Sequence, residues 1–240
     1  TSCGLFVVAK TKQKPEDSFI LGAKRATWRG EDEASAQADE RFRAVKPKVF
    51  KRDNYKCKFC GFQSRKWQEI HHIDSDHHNH DPRNLATICS FCHMTFHIGR
   101  AGLAGEAELI WFPELSQQQV NHLARTCFVA MRTKGTTNEA GESVFSGLRI
   151  RAEEARRRLG TSDPADLGEA LLAIDEAHYS KRGEILDGVR LLPLGRKYVG
   201  ERDIFPKMVD FWVSRHGPFA KSRPKQWRAA ASKIMRRLPG

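Results

Sequence analysis

A chain of 240 residues can bury a substantial core without an external staple, as one large domain or two small ones. Lys and Arg number 41 against 29 Asp and Glu, a formal net charge of +12, which suits nucleic acid, phosphate or an acidic protein surface as partner. No apolar run approaches the roughly 20 residues of a membrane-spanning helix, and "TSCGLFVVAKTKQK" lacks the order of a secretory signal. The expected setting is therefore cytoplasmic, where paired cysteines more readily bind metal than form disulfides.

In chain order, "GLFVVAK" (4–10) and "FILGAK" (19–24) have the β-leaning composition of short edge strands or hairpin arms. "EDEASAQADE", Glu31 to Glu40, is acidic and low in bulky apolar residues, as in a solvated connector or an exposed helix start. Val45, Val49 and Phe50 follow at helical spacing, and Pro47 places the start of that helix near itself. Beyond the cysteine-rich segment, "ELIWF" (108–112) predicts another strand. Ser116 with Gln119 then forms a capping-box pattern, followed by Val120, Leu123, Cys127 and Met131 along one helix face, with Cys127 as a small core residue. Polar "RTKGTTNEAGES" (132–143) breaks the periodicity and predicts an internal boundary.

The second half is expected to be mostly helical. Glu153 and Glu154 precede Arg157 and Arg158 by four residues, the favourable orientation on a helix. Asp163 before Pro164 caps another helix, with Leu167, Leu171, Leu172 and Ile174 as its apolar face. "LDGVRLLPLGRKY" is expected to turn through Gly188, Pro193 and Gly195. Phe205, Met208, Phe211 and Trp212 form a second apolar set, and "KQWRAAASKIMRRL" predicts an amphipathic helix. From Gly195 to Gly240 there are twelve Lys or Arg against three acids, a local excess of nine positive charges. Such a run is either a solvated face or a contact for nucleic acid or an acidic partner; Arg223, Lys225, Trp227, Arg228, Arg236 and Arg237 are its candidate contact residues.

Between Cys57 and His97 lie four of the six cysteines and seven of the ten histidines. Cys57-x-x-Cys60 and Cys89-x-x-Cys92 have the paired spacing of a four-cysteine zinc site, because a two-residue knuckle lets both thiolates reach one tetrahedral ion. Such a site is structural, since four thiolates leave no open position for water.

"EIHHIDSDHHNHDPRNL" followed by "CSFCHMTFH" resembles the HNH nuclease superfamily, a β-hairpin and helix around a metal. The resemblance implies His72 as general base, Asn84 as the residue holding the base loop, and His71, His93 and His97 as ligands of a second divalent metal (Mg, Mn, Ni or Zn). A neutral imidazole at His72 could accept a proton from water near pH 7 while the ion stabilises charge on the scissile phosphate. His77, His78 and His80 are assigned to a solvated loop.

The longer pattern "KRDNYKCKFCGFQSRKWQEIHHID", "CSFCHMTFHIGRAG", "ELIWFPELSQQQVNHLARTCFVAM" and "ILDGVRLLPLGRKY" resembles the IcmJ/DotN family of type IVB secretion coupling complexes, from about Val45 to Tyr198. It implies an HNH-like zinc fold used as a docking module for the C-terminal extension of the coupling ATPase, alongside other adaptors. The implied location is the cytoplasm, with recruitment to the inner membrane. The catalytic positions of this family are typically replaced, whereas this chain retains them together, so an active endonuclease acting on DNA stands as the alternative. The expected fold is α+β: 1–44 as N-terminal strands and acidic connector, 45–131 as an HNH-like ββα zinc core and following helix, 132–198 as a helical region, and 199–240 as a basic extension.

Overall fold

The computed structural model describes residues 19–23, 33–222, 226 and 227, with the backbone alone for 33–39. Its elements in order are α1 (Glu33–Arg52), β1 (Gln68–His72), a 3-10 turn (Pro82–Asn84), β2 (Leu85–Cys89), α2 (Ser90–Phe96), α3 (Ile98–Leu103), β3 (Ala107–Trp111), α4 (Gln117–Met131), α5 (Thr136–Leu159), α6 (Pro164–Ala173), α7 (Glu176–Ser180), α8 (Arg182–Ile185), β4 (Val189–Pro193), β5 (Tyr198–Val199), β6 (Arg202–Asp203) and α9 (Phe205–Val213). The architecture is mixed α+β: antiparallel pairs β1–β2, β3–β4 and β5–β6 set among helices. The strand expected in "GLFVVAK" and nearly all of the helix expected in "KQWRAAASKIMRRL" lie outside the described residues.

The second N-terminal strand is not formed. Residues 19–23 run without regular structure, and Gly22 N–H donates to Thr95 O at 3.0 Å while Gly22 O accepts from Ile98 N–H at 3.2 Å. The segment is thus stitched to the junction of α2 and α3 instead of a sheet edge. The placement of a helix start at Pro47 is also corrected, because α1 begins at Glu33 and passes through that proline. Proline inside a helix costs about 3 kcal/mol. Apolar contacts on both sides of it oppose that loss: Val49 is buried with Ile70 and Leu85, and Phe42, Val45 and Phe50 pack against them. Burying a residue such as Val49 contributes about 1.5–3 kcal/mol.

β3 falls where "ELIWF" predicts it, and its partner is the segment read as a turn. Residues 189–193 form β4, with Leu109 opposite Leu191 and Trp111 opposite Val189. Gly188 enters the strand at φ +87°, and a Cβ there would stand 2.5 Å from the Trp111 ring, so no side chain fits. α4 carries the expected capping box, Ser116 Oγ accepting from Gln119 N–H at 3.2 Å and Gln119 Oε1 from Ser116 N–H at 2.8 Å. The break after it is shorter than expected, for α5 starts at Thr136. Gly141 lets the two helices approach: a Cβ there would lie 2.8 Å from Ala130 Cβ. On α6 the apolar face is narrower than the pattern suggests, with Leu171 buried and Leu172 exposed. One contiguous core joins Cys57, Cys89 and Cys92 to Phe91, Leu191 and Trp212, so the cysteine cluster and the helical half share an interior.

Candidate metal centre

Two tight turns present the four thiols. In the first, Cys57 N–H donates to Phe62 O at 2.9 Å and Gly61 N–H returns to Cys57 O at 2.9 Å; Gly61 takes φ +74°, which favours glycine. Lys58 N–H donates to Thr87 O at 2.9 Å and fixes this knuckle on β2. In the second, Cys89 ends β2 and stands at the N-terminal cap of α2, and Cys92 lies in the first turn of that helix. Pairing of Gln68 with Cys89 sets the second knuckle by sheet register.

The four Sγ atoms all lie within 4.8 Å of one another. Cys60 and Cys89 sulfurs are 3.7 Å apart, and all four cysteines are free of disulfides. Thiolates about 2.3 Å from one tetrahedral ion lie about 3.8 Å apart, so the donor set fits an ion such as zinc. As bare thiols they conflict: burial pushes Cys89 up, whereas hydrogen bonding from its neighbours, Cys57 first, lowers Cys60.

The surroundings favour anionic sulfur. Arg125 on α4 is 1% exposed, its Nη2 donates to Cys89 Sγ at 3.3 Å, and no carboxylate lies within ion-pair distance of it among the described residues. A guanidinium does not deprotonate in a protein, so its burial is favoured by an anion beside it. Four thiolates on a divalent cation carry two net negative charges and supply one. Asn121 Nδ2 donates to Cys92 Sγ at 3.4 Å, and His122 Nε2 donates to Cys60 O at 2.8 Å. Sequence reasoning missed all three. The available signal was the polar series Gln117, Asn121 and Arg125, four apart among Val120, Ala124 and Phe128, which places polar groups on the core face.

The histidines gather around the end of β1. His71 packs on Phe96, ring centroids 4.3 Å apart, and edges toward His93 at 5.8 Å. His72 lies between Phe42, at 5.2 Å, and His77, at 4.8 Å, with its Nε2 3.3 Å from His80 Nδ1. His77 and His80 therefore pack against the body, and only His78 of that trio is exposed, which corrects their assignment to a solvated loop. His93 and His97 rings are 4.8 Å apart, although His97 stands just past the end of α2. His71, His72, His77, His93 and His97 line one cavity of about 720 Å³. Among the described residues, the metal-ligating cluster is that of the four cysteines and does not include His71, His93 or His97.

Glu69, also missed, accepts from His93 Nδ1 at 2.5 Å. Burial opposes its ionisation, but the bond from His93 and the charge of Lys197 hold its carboxyl down at about 2. Burial, then the neighbouring His93, pushes the His71 imidazole down to about 3. Asn84 ends the 3-10 turn before β2; its Nδ2 donates to Asp74 Oδ1 at 2.8 Å and Asn79 O at 2.9 Å, tying the loop. Trp227 donates from Nε1 to Ser222 O at 3.1 Å and packs against the core. Arg223, Lys225, Arg228, Arg236 and Arg237 lie outside the described residues.

Fold and site together define a mixed α+β protein with a compact four-cysteine cluster that could hold a metal ion. No protein-family model matches the chain. It is 30% identical over 211 residues, 86% of this chain and 94% of the relative, to the type 4 apparatus protein DotN of Legionella pneumophila. The chain belongs to the DotN family. Among its described residues no helix is long and apolar enough to cross a membrane.

Proposed function

We propose that this chain is a zinc-folded adaptor subunit of a type IVB secretion coupling complex, docking the C-terminal extension of the coupling ATPase beside other adaptors. The observation that carries this reading is the extent of the likeness to DotN, 94% of that protein, which runs far beyond the cysteine segment. The cysteine set, buried but for half-buried Cys60, supports a structural role for the metal. Cys57, Cys60, Cys89 and Cys92 would hold one zinc, which supplies cross-linking of two knuckles and no open coordination position. The chain's net charge of +12 suits an acidic peptide partner. Its place is the cytoplasm, drawn to the inner membrane through the complex. Calorimetric titration with the ATPase extension tests this: saturable binding by zinc-loaded protein is expected, and no binding by fully loaded protein refutes it.

A second reading, a metal-dependent HNH-like DNA endonuclease with His72 as base and Asn84 holding its loop, is favoured by the shared histidine-lined cavity. His71, His93 and His97 would have to draw together around the second ion. Cleavage of supercoiled DNA with added magnesium, manganese or nickel, lost in His72→Ala, would establish it; no cleavage with any of these metals leaves the adaptor reading alone.

A further inference from the structure

We infer that Arg125, assisted by Asn121, is the positioning group of the four-cysteine centre: its guanidinium offsets the negative charge of the metal-bound thiolates and ties them to α4 and α9. The inference rests on the zinc reading above and adds to it the device that makes an anionic cluster tolerable inside the core.

Three observations carry it. Arg125 presents Nη2 to Cys89 Sγ at 3.3 Å from a fully enclosed position. Its guanidinium carbon sits 3.9 Å from the Phe62 ring centroid, 4.9 Å from Phe91 and 5.7 Å from Trp212. Phe62 follows the first knuckle, Phe91 lies inside the second, and Trp212 belongs to α9, so one side chain joins both knuckles to α9. Asn121 is oriented from behind: its Oδ1 accepts from Gln117 Nε2 at 3.0 Å, and Gln117 exchanges bonds with Leu191, donating to the carbonyl at 2.7 Å and accepting from the N–H at 2.8 Å. Its remaining donor points at Cys92 Sγ. α4 thus addresses sulfur in both strands of the problem, charge at Cys89 and a neutral hydrogen bond at Cys92, and passes the constraint to β4.

A purely structural arginine would act through ring stacking; the inferred role acts through charge on sulfur. Arg125→Gln retains a planar donor and removes the charge, whereas Arg125→Lys retains the charge and loses the fork. Loss of a hydrogen-bonded partner around metal ligands typically lowers affinity about 10- to 100-fold. In competition with a chromogenic chelator, Arg125→Gln is expected to hold zinc more weakly by that factor and Arg125→Lys to recover most of it. In cobalt(II)-loaded protein, the sulfur-to-cobalt charge-transfer bands are expected to shift in Arg125→Gln and to return toward wild type in Arg125→Lys. Equal zinc affinity and identical cobalt spectra in wild type and Arg125→Gln would overturn the inference. If Arg125→Gln does not fold with metal, Asn121→Ala decides: shifted cobalt bands support the outer hydrogen-bond role, and unchanged bands refute it. A wild type that takes up neither zinc nor cobalt refutes the metal reading itself.

Discussion

Replacing Glu106 by Gln removes a charge that the fold has buried. Glu106 is 3% exposed, its Oε2 lies 3.2 Å from Lys197 Nζ, and its Oε1 accepts from Tyr198 N–H at 2.7 Å. Lys197 is itself 9% exposed, so Glu106→Gln strands an ammonium while leaving shape and the Tyr198 bond intact. Breaking one partner of a buried pair costs about 3–5 kcal/mol. Glu69 Oε1, 3.7 Å from the same ammonium, keeps part of the pairing, which sets the loss near the lower end, about 3 kcal/mol. At about 2–4 °C per kcal/mol for a chain of this size, the melting midpoint should fall by about 6–12 °C. Calorimetry of wild type, Glu106→Gln and the double variant Glu106→Gln/Lys197→Met checks it, and the double variant should recover much of the loss because no unpaired ammonium remains. A midpoint within 2 °C of wild type for Glu106→Gln, on the order of the error expected for a surface change, would refute the reasoning.

Stripping zinc with a chelator, or Cys92→Ser, should melt the chain as a whole, since structural zinc in small domains contributes about 10–16 kcal/mol, comparable to an entire folding free energy; circular dichroism retaining a native transition would count against it. Ser116→Ala opens the capping box of α4 and should destabilise by about 1 kcal/mol in urea titration. His71 is held near 3 against an ordinary 6.5, so its contribution is present above pH 6.5 and is lost as pH falls toward 3, because the unfolded chain binds the proton first. His71→Asn should therefore lose less stability than wild type between those pH values, and parallel profiles would contradict the assignment.

The cysteine centre was legible because two-residue spacing is a local constraint that any fold must honour, and the α4 cap was legible because Ser116 and Gln119 bond within one turn. What stayed hidden depends on distant partners. β4 reads as a turn until Leu191 is paired with Leu109 across the chain. Pro47 marks a helix start by local rules, and the burial around Val49 overrides it. The histidine-rich loop has no periodicity, so nothing local showed His77 and His80 packing on His72. Arg125 is the clearest case: a basic residue on a helix belongs to solvent by composition, and the facing sulfur together with the rings of Phe62, Phe91 and Trp212 accounts for its burial.

The most direct test of a closed four-thiolate centre is zinc-edge X-ray absorption on purified protein, with metal content measured on the same sample. One zinc per chain surrounded by four sulfurs at about 2.3 Å is predicted. Absence of zinc, or nitrogen ligands from the histidine cavity in the zinc shell, would contradict it.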